Sequence, residues 1–191
     1  AAVDLLADTT ALTRHSPRHA EWLTLQGLKL CLAHGHVPSS PMIYAFYAVH
    51  LASLPGSIQR ALAFSDLAVA LDKRYGDLRW RPAVLSMYAG LVHSWGRPFR
   101  LARPFFDEAF STAQLVWDRR FAPGLGMVAV WTEIEPATPI AKARAASKRY
   151  LDFTARVGSF FSNLCRLYVQ FLACLAGQTP RLLRFGGPHF P

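Results

Sequence analysis

The residues in this chain whose side chains most readily suggest a chemical role are two histidines that flank a glycine. His34 and His36 could ligate a metal ion from a loop. A closed zinc site usually takes four ligands, so two imidazoles give little support for a metal centre. We therefore expect a solvated loop here, with no metal and no other cofactor.

Two other pairs could support catalysis, and each has a simpler explanation. Glu133 and Glu135 could act as general acid and base, but they lie in a predicted turn with no histidine or nucleophile beside them. Cys165 precedes Arg166, whose charge could lower the thiol pKa, yet adjacent residues on a helix do not face each other. We expect solvated carboxylates and a buried, inert thiol.

Two further histidines and the missing motifs point the same way. His50 and His93 lie in apolar segments, where a histidine is most often a hydrogen-bonded part of the core. The sequence has no GxxxxGK[ST] phosphate loop, no HRD triplet and no DFG triplet. We expect no enzymatic activity from this chain, and an enzyme with an unrecognised site is the least favoured hypothesis.

The basic residues form the strongest candidate site. The net charge is +9, and residues 141–184 hold eight Lys or Arg against one acid, Asp152. Such a stripe could dock an acidic partner or an adjacent domain, could track nucleic-acid phosphates, or could be a solvated helix face. The candidate interaction surface consists of Lys142, Arg144, Lys148, Arg149 and Arg156.

The elements that position these residues recur along the chain with a constant step. Three prolines, Pro41, Pro82 and Pro123, are 41 residues apart. Small residues keep the same step in two further series, Ala20, Ala61, Ala102 and Ala143, and Gly27, Ala68 and Ala109. A repeat of this length is typical of a stacked helical array.

Each period begins with a charged amphipathic helix and continues with a nearly uncharged one. In the second period the amphipathic helix places Asp66 and Asp72 toward water, and one uncharged helix runs from Pro82 to Trp95. Pro104 falls inside a predicted helix, which weakens the local boundary. The last apolar segment carries more apolar residues than one stripe can bury, so we expect part of its surface to be uncovered.

The predicted fold is all-α: a right-handed α-solenoid of antiparallel helix pairs, similar to tetratricopeptide arrays, with a repeat of about 41 residues. We expect a leading helix and four pairs in one domain over residues 1–178, followed by an exit segment or linker over 179–191. Turns are predicted near Pro41, Gly56, Gly76, Pro98, Asp118, Pro139 and Gly158.

Composition limits the class of protein. Hydrophobic residues make up 52% and charged residues 17% of the chain, which argues against disorder. The apolar runs are too interrupted for a membrane span. Three cysteines without CxxC spacing indicate neither a disulfide framework nor a zinc ribbon, so we expect a reducing cytoplasm.

The stretch from Leu25 to Phe110 resembles the helical-repeat region of very large bacterial signalling proteins. The words that carry the resemblance are LAHGHVPSSPMIYAFY, GSIQRALAFSDLAVAL and LVHSWGRPFRLARPFFDEAF, with LACLAGQTP followed by Phe185 at the end of the region. Proteins of that family combine a serine/threonine kinase, an AAA-type ATPase, this region, a GAF domain and often a histidine kinase. The resemblance implies that the chain is a piece of such a protein.

From the repeat and the resemblance together, we expect a non-enzymatic scaffold or signal-relay module. Its partners would be adjacent domains of the same polypeptide or a separate protein. The alternative is a nucleic-acid-associated regulator, in which the basic C-terminal helix pair contacts phosphates.

Overall fold

The computed structural model describes residues 1–12, 16–116, 124–125, 128, 130, 138–157 and 160–178. All regular elements among these residues are helices, so the predicted all-α class is confirmed. The chain divides into two compact units, Ala1–Pro98 and Phe99–Pro191. The single domain over 1–178 stays a prediction, and the exit segment after residue 178 lies outside the described residues.

Among the described residues, the helices with full bounds are five α-helices in the first unit and three in the second. Those of the first unit are α1 (Ala2–Leu12), α2 (Pro17–His34), α3 (Ser40–Ala52), α4 (Ile58–Tyr75) and α5 (Arg81–Met87). After α5 come a π-helical turn, Tyr88–Val92, and a 3₁₀ turn, His93–Trp95. The second unit has a 3₁₀ turn, Phe99–Leu101, then α6 (Arg103–Leu115), α7 (Ile140–Val157) and α8 (Phe160–Leu175).

The step of 41 residues reappears in the positions where helices begin. Helical turns start at residues 17, 58, 99 and 140, and α3 and α5 start at residues 40 and 81. The predicted leading helix corresponds to α1. The turns predicted near Pro41, Gly56, Gly76, Pro98 and Pro139 are confirmed, whereas those near Asp118 and Gly158 lie outside the described residues.

Prolines explain why helices begin where they do. Pro17, Pro41, Pro82 and Pro104 each occupy one of the first two positions of a helix. At these positions the missing backbone N–H would have no helical partner, and the fixed φ suits the helix. Pro104 does lie inside α6, but at its second position, where a proline is tolerated.

Consecutive helices pack closely through small residues. Ile43 of α3 lies against Gly27 of α2, where a Cβ would come within 2.7 Å of the Ile43 side chain. The Cys31 thiol donates to the Ser40 hydroxyl at 3.2 Å. Since the later residue of α2 meets the earlier residue of α3, these two helices run in opposite directions. The equivalent residues Ala68 and Ala109 are 1% and 0% exposed.

The uncharged helices supply much of the core, as their composition predicts. Residues 40–45 of α3 are all buried, with Met42 and Ile43 fully so. A cluster in the first unit joins α3 to α4 and to the π-helical turn through Leu51, Leu62 and Val92. On α8, Phe171 and Leu175 are 37% and 51% exposed, so the last helix does keep uncovered apolar surface.

Two details of the second repeat differ from the prediction. The segment from Pro82 to Trp95 is α-helical only to Met87, and a π-helical turn and a 3₁₀ turn follow. Because the segment is apolar on all sides, its sequence pattern does not indicate where the backbone hydrogen bonds change from α to π. Asp72 is buried rather than water-facing, because Arg81 from the first turn of α5 donates to its carboxylate at 2.9 Å.

Candidate interaction surface

The five predicted cations lie together on one side of α7. Lys142, Lys148, Arg149 and Arg156 are exposed and Arg144 is half-buried. We call these five residues the basic face. The opposite side of the helix packs inward, and its buried residues include Ala143, Ser147, Tyr150 and Thr154. The amphipathic spacing of α7 is what places the cations toward water.

Local sequence explains why this helix forms and where it starts. Pro139 precedes α7, and its carbonyl accepts from the backbone N–H of Lys142 at 2.8 Å and of Ala143 at 3.1 Å. Alanine, the best helix former, occupies four of the first seven positions of α7. The basic face is therefore built on a regular element.

Two members of the basic face are engaged within their own unit. Arg149 donates to the Asp107 carboxylate and to the Tyr150 hydroxyl, and its guanidinium lies 4.5 Å from the centre of the Tyr150 ring. Asp107, on α6, also lies 3.8 Å from Arg103 Nε. Arg156 Nε donates to the Asp152 carbonyl at 3.2 Å. Arg149 thus ties α7 to α6.

The other three members keep unused donors. Among the described residues, the ammonium groups of Lys142 and Lys148 have no hydrogen bond or ion pair. Arg144 donates from Nη1 to the Gln178 side chain, while its Nε is buried and finds no acceptor in the described part of the chain. The exposed ammonium groups of Lys142 and Lys148 are available to an external acid, whereas the buried Nε of Arg144 is not.

A groove of about 450 Å³ runs along α7 beside two of these cations. Arg144 and Lys148 line the groove on neighbouring turns of α7, and Asp152 lines it one turn beyond Lys148. Apolar atoms come from Ala141, Ala145 and Leu151 of α7 and from Val169 of α8. The groove therefore offers charge and apolar surface within the reach of one peptide segment.

A second polar cluster, in the first unit, was missed by the sequence analysis. Arg97 donates two hydrogen bonds to the Asp66 carboxylate, at 2.8 and 2.5 Å, and one to the Tyr88 hydroxyl at 2.9 Å. These bonds lower the pKa of the Asp66 carboxyl, while burial raises the pKa of Tyr88. The cluster joins α4 to the end of the helical segment that follows it.

His93 completes this cluster. Its ring lies 5.5 Å from that of Tyr88, centre to centre, and its side chain is 3% exposed. Burial, and then the charge of Arg97, lowers the pKa of His93. The hydrogen bonds of Arg97 in this cluster clamp α4 to the segment that follows it.

An arginine, an aspartate and a tyrosine also meet in the second unit. The Tyr150 hydroxyl donates to Asp107 at 3.2 Å, next to the bond from Arg149. Asp66 and Asp107 are 41 residues apart, one period of the repeat. This recurrence of aspartate marks one repeat position in the sequence, but it does not indicate which arginine each aspartate binds.

The remaining candidates lie apart from one another. His36 Nε2 is 2.8 Å from the Tyr44 hydroxyl, and His34 is exposed. The described residues contain no group of three or more His, Cys, Asp or Glu side chains that could hold a metal ion. His50 lies 3.4 Å from a carboxylate oxygen of Glu21 and is partly exposed.

The thiol and the turn carboxylates have different outcomes. Cys165 is fully buried as expected, and burial raises its pKa to about 11, which disfavours the reactive thiolate. Glu133 and Glu135 lie outside the described residues.

Within the described ranges, no helix combines the length and apolar character needed to cross a lipid bilayer. Comparison of the chain with protein-family models, with curated proteins and with solved structures finds no match.

Proposed function

We propose that the chain is a non-enzymatic helical-repeat module that acts as a scaffold or signal relay in a cytoplasmic multidomain signalling protein. In this proposal the helix pairs stack as a right-handed solenoid similar to tetratricopeptide arrays. The 41-residue step in the helix starts supports this arrangement. The resemblance to the repeat region of bacterial kinase and ATPase signalling proteins supports the cellular context.

The observation that carries the proposal is the basic face of α7. Lys142 and Lys148 point into water without partners among the described residues, beside a groove with apolar walls. A partner or an adjacent domain that covers this face would press on one helix of the array and could rotate it. In a repeat protein each repeat contacts its neighbours, so a small rotation at α7 can pass along the chain.

The experiment compares lysine acylation in the isolated chain and in the native protein with its partners bound. We expect Lys142 and Lys148 to become several-fold less reactive in the native assembly, because a docked surface would cover them. Lys29 on α2 and Lys73 on α4 are exposed and serve as matched controls. Equal reactivity of all four lysines in both samples would contradict the proposal.

The alternative function is nucleic-acid-associated regulation through the same cations. The exposed basic face favours it, since Lys and Arg bind phosphates. Two features of α7 weigh against it. Asp152 lies among the cations, and the aromatic residues of α7, Tyr150 and Phe153, are 1% and 9% exposed and offer no platform for base stacking.

A further inference from the structure

We propose that the groove between α7 and α8 binds an acidic amphipathic helix of a protein partner, with a carboxylate seated between Arg144 and Lys148. This inference rests on the proposed function, because it names the kind of partner that the basic face receives. Four observations support it, and each concerns a different property of the groove.

The first observation is a change of charge at one repeat position. Asp66, Asp107 and Lys148 follow one another at intervals of 41 residues. In the first two of these repeats the carboxylate accepts hydrogen bonds from an arginine of the same unit. At the third position the side chain is an ammonium with no partner among the described residues. Where the earlier repeats supply the acid themselves, this repeat leaves the position open to an acid from elsewhere.

The second observation concerns the residue one turn before that position. Arg103 and Asp107 form an i, i+4 ion pair with 3.8 Å between Nε and the carboxylate. One period later the same two positions hold Arg144 and Lys148, which are two cations on neighbouring turns of α7. Like charges at this spacing repel each other. A carboxylate placed between them removes the repulsion and replaces the missing acid.

The third observation is the state of Arg144. Arg144 lines the groove, and its Nη1 donates to the Gln178 side chain. Its Nε is buried without an acceptor in the described part of the chain. A buried donor without a partner is unfavourable, and bonds to a charged acceptor are stronger than neutral ones. A carboxylate in the groove cannot reach this buried Nε, but Arg144 is half-buried and lines the groove, so its exposed part can meet a carboxylate of the occupant.

The fourth observation is the shape and polarity of the groove, which favour a helix of a protein over a nucleic acid. Ala141 and Ala145 are small and one turn apart, which allows another helix to approach α7 closely. Leu151 and Val169 provide a surface for one apolar side chain of that helix. Asp152 would repel a phosphate chain that continued along the groove.

The occupant therefore has a definite pattern. It carries at least one carboxylate to sit between Arg144 and Lys148, and it carries an apolar residue on the same stripe to meet Leu151 and Val169. Opposite Asp152 it carries a basic or uncharged residue. This pattern is the one by which an amphipathic helix lies in a groove between two helices.

The test uses the full chain and a fluorescent helical peptide of about four turns. The peptide carries Glu at i and i+4 with Leu on the same stripe, and a control peptide carries Lys in place of each Glu. The groove variant combines Arg144→Gln with Lys148→Gln. The matched control combines Lys142→Gln with Arg156→Gln, which removes two cations of the same basic face outside the groove.

We expect the acidic peptide to bind and the basic peptide not to bind, by fluorescence anisotropy. The groove variant should bind the acidic peptide about tenfold more weakly or worse, since it loses two charged partners. The control variant should lose about threefold or less, since it loses only screened surface charge. Circular dichroism establishes that each variant is folded, and a Lys148→Arg variant, which keeps the charge, should retain most of the affinity.

Three outcomes would overturn the inference. Equal losses in the two double variants would show docking on the basic face as a whole, so that the proposed function would stand and the groove would not be its site. Absence of peptide binding to the unaltered chain would remove the acidic helix as partner, with lysine protection still deciding the proposed function. Tighter binding of a duplex DNA probe that depends on Arg144 and Lys148 would overturn both proposals.

Discussion

Several titratable residues in this chain are paired or buried. Asp66 and Arg97 form a bidentate ion pair, Asp72 and Arg81 form a largely buried pair, and the Cys165 thiol is fully buried. The titratable group whose burial has the clearest consequence is His93, because its neutral form is the one that the fold accommodates.

We expect the free energy of unfolding to fall as the pH drops below the ordinary histidine value of 6.5. Burial and the charge of Arg97 lower the pKa of His93 in the folded state, so the unfolded state binds the proton first. The free energy of unfolding continues to fall until the pH reaches the lowered pKa of His93 in the folded state. Urea unfolding at a series of pH values measures this slope.

Two variants make the test of His93 specific. His93→Phe removes the titrating group. It should flatten the dependence of the free energy of unfolding on pH between the pKa of His93 in the folded state and that in the unfolded state. His34→Phe should leave it unchanged, because His34 is exposed. A slope that survives in His93→Phe would contradict the assignment.

Helices in this chain are specified by small residues and prolines in a fixed register. The prolines at helix starts and the alanines at helix contacts could be read from the sequence because both act locally or at the 41-residue step. The bond between Arg97 and Asp66 could not, since it joins residues 31 apart whose distance depends on how two helices meet. The same holds for the groove beside Arg144 and for the bond between Arg149 and Asp107.

The prediction at this scale concerns the small residues at helix contacts. Replacement of Ala68 or Ala109 by Trp should lower the free energy of unfolding by about 1–3 kcal/mol or more, because both residues are buried in close contacts. Ala70→Trp on the exposed side of α4 is the control and should cost far less. Thermal and urea melts measure the difference, and an unchanged midpoint for both buried variants would show that the helices tolerate the added volume.

At the scale of the whole molecule, the net charge of +9 could suggest general attraction to polyanions. Its distribution argues for selective docking. Arg79, Arg81, Arg97 and Arg149 each lie in an ion pair with an aspartate of the same unit. These four arginines are thus engaged within the fold, and the net charge of +9 is carried by other cations, which include the exposed Lys142 and Lys148.

We therefore expect no submicromolar binding to generic DNA or RNA at physiological ionic strength, although weak binding should occur at low salt. Fluorescence anisotropy over a series of salt concentrations measures both the affinity and its slope, which reports the number of phosphate contacts. Replacement of Lys148 and Arg149 by Gln should flatten that slope. Tight binding at about 0.15 M salt would support the nucleic-acid alternative instead.

The starts of helical turns at residues 17, 58, 99 and 140 have a consequence for how such a chain can change during evolution. Each start follows the last by one whole period, so residue 57 and residue 98 precede equivalent positions. Unequal recombination between two such positions removes or adds one complete 41-residue repeat and interrupts no helix. The number of repeats can therefore vary in a lineage while each remaining repeat keeps its own contacts. The charge at a position such as Lys148 can diverge in one repeat alone.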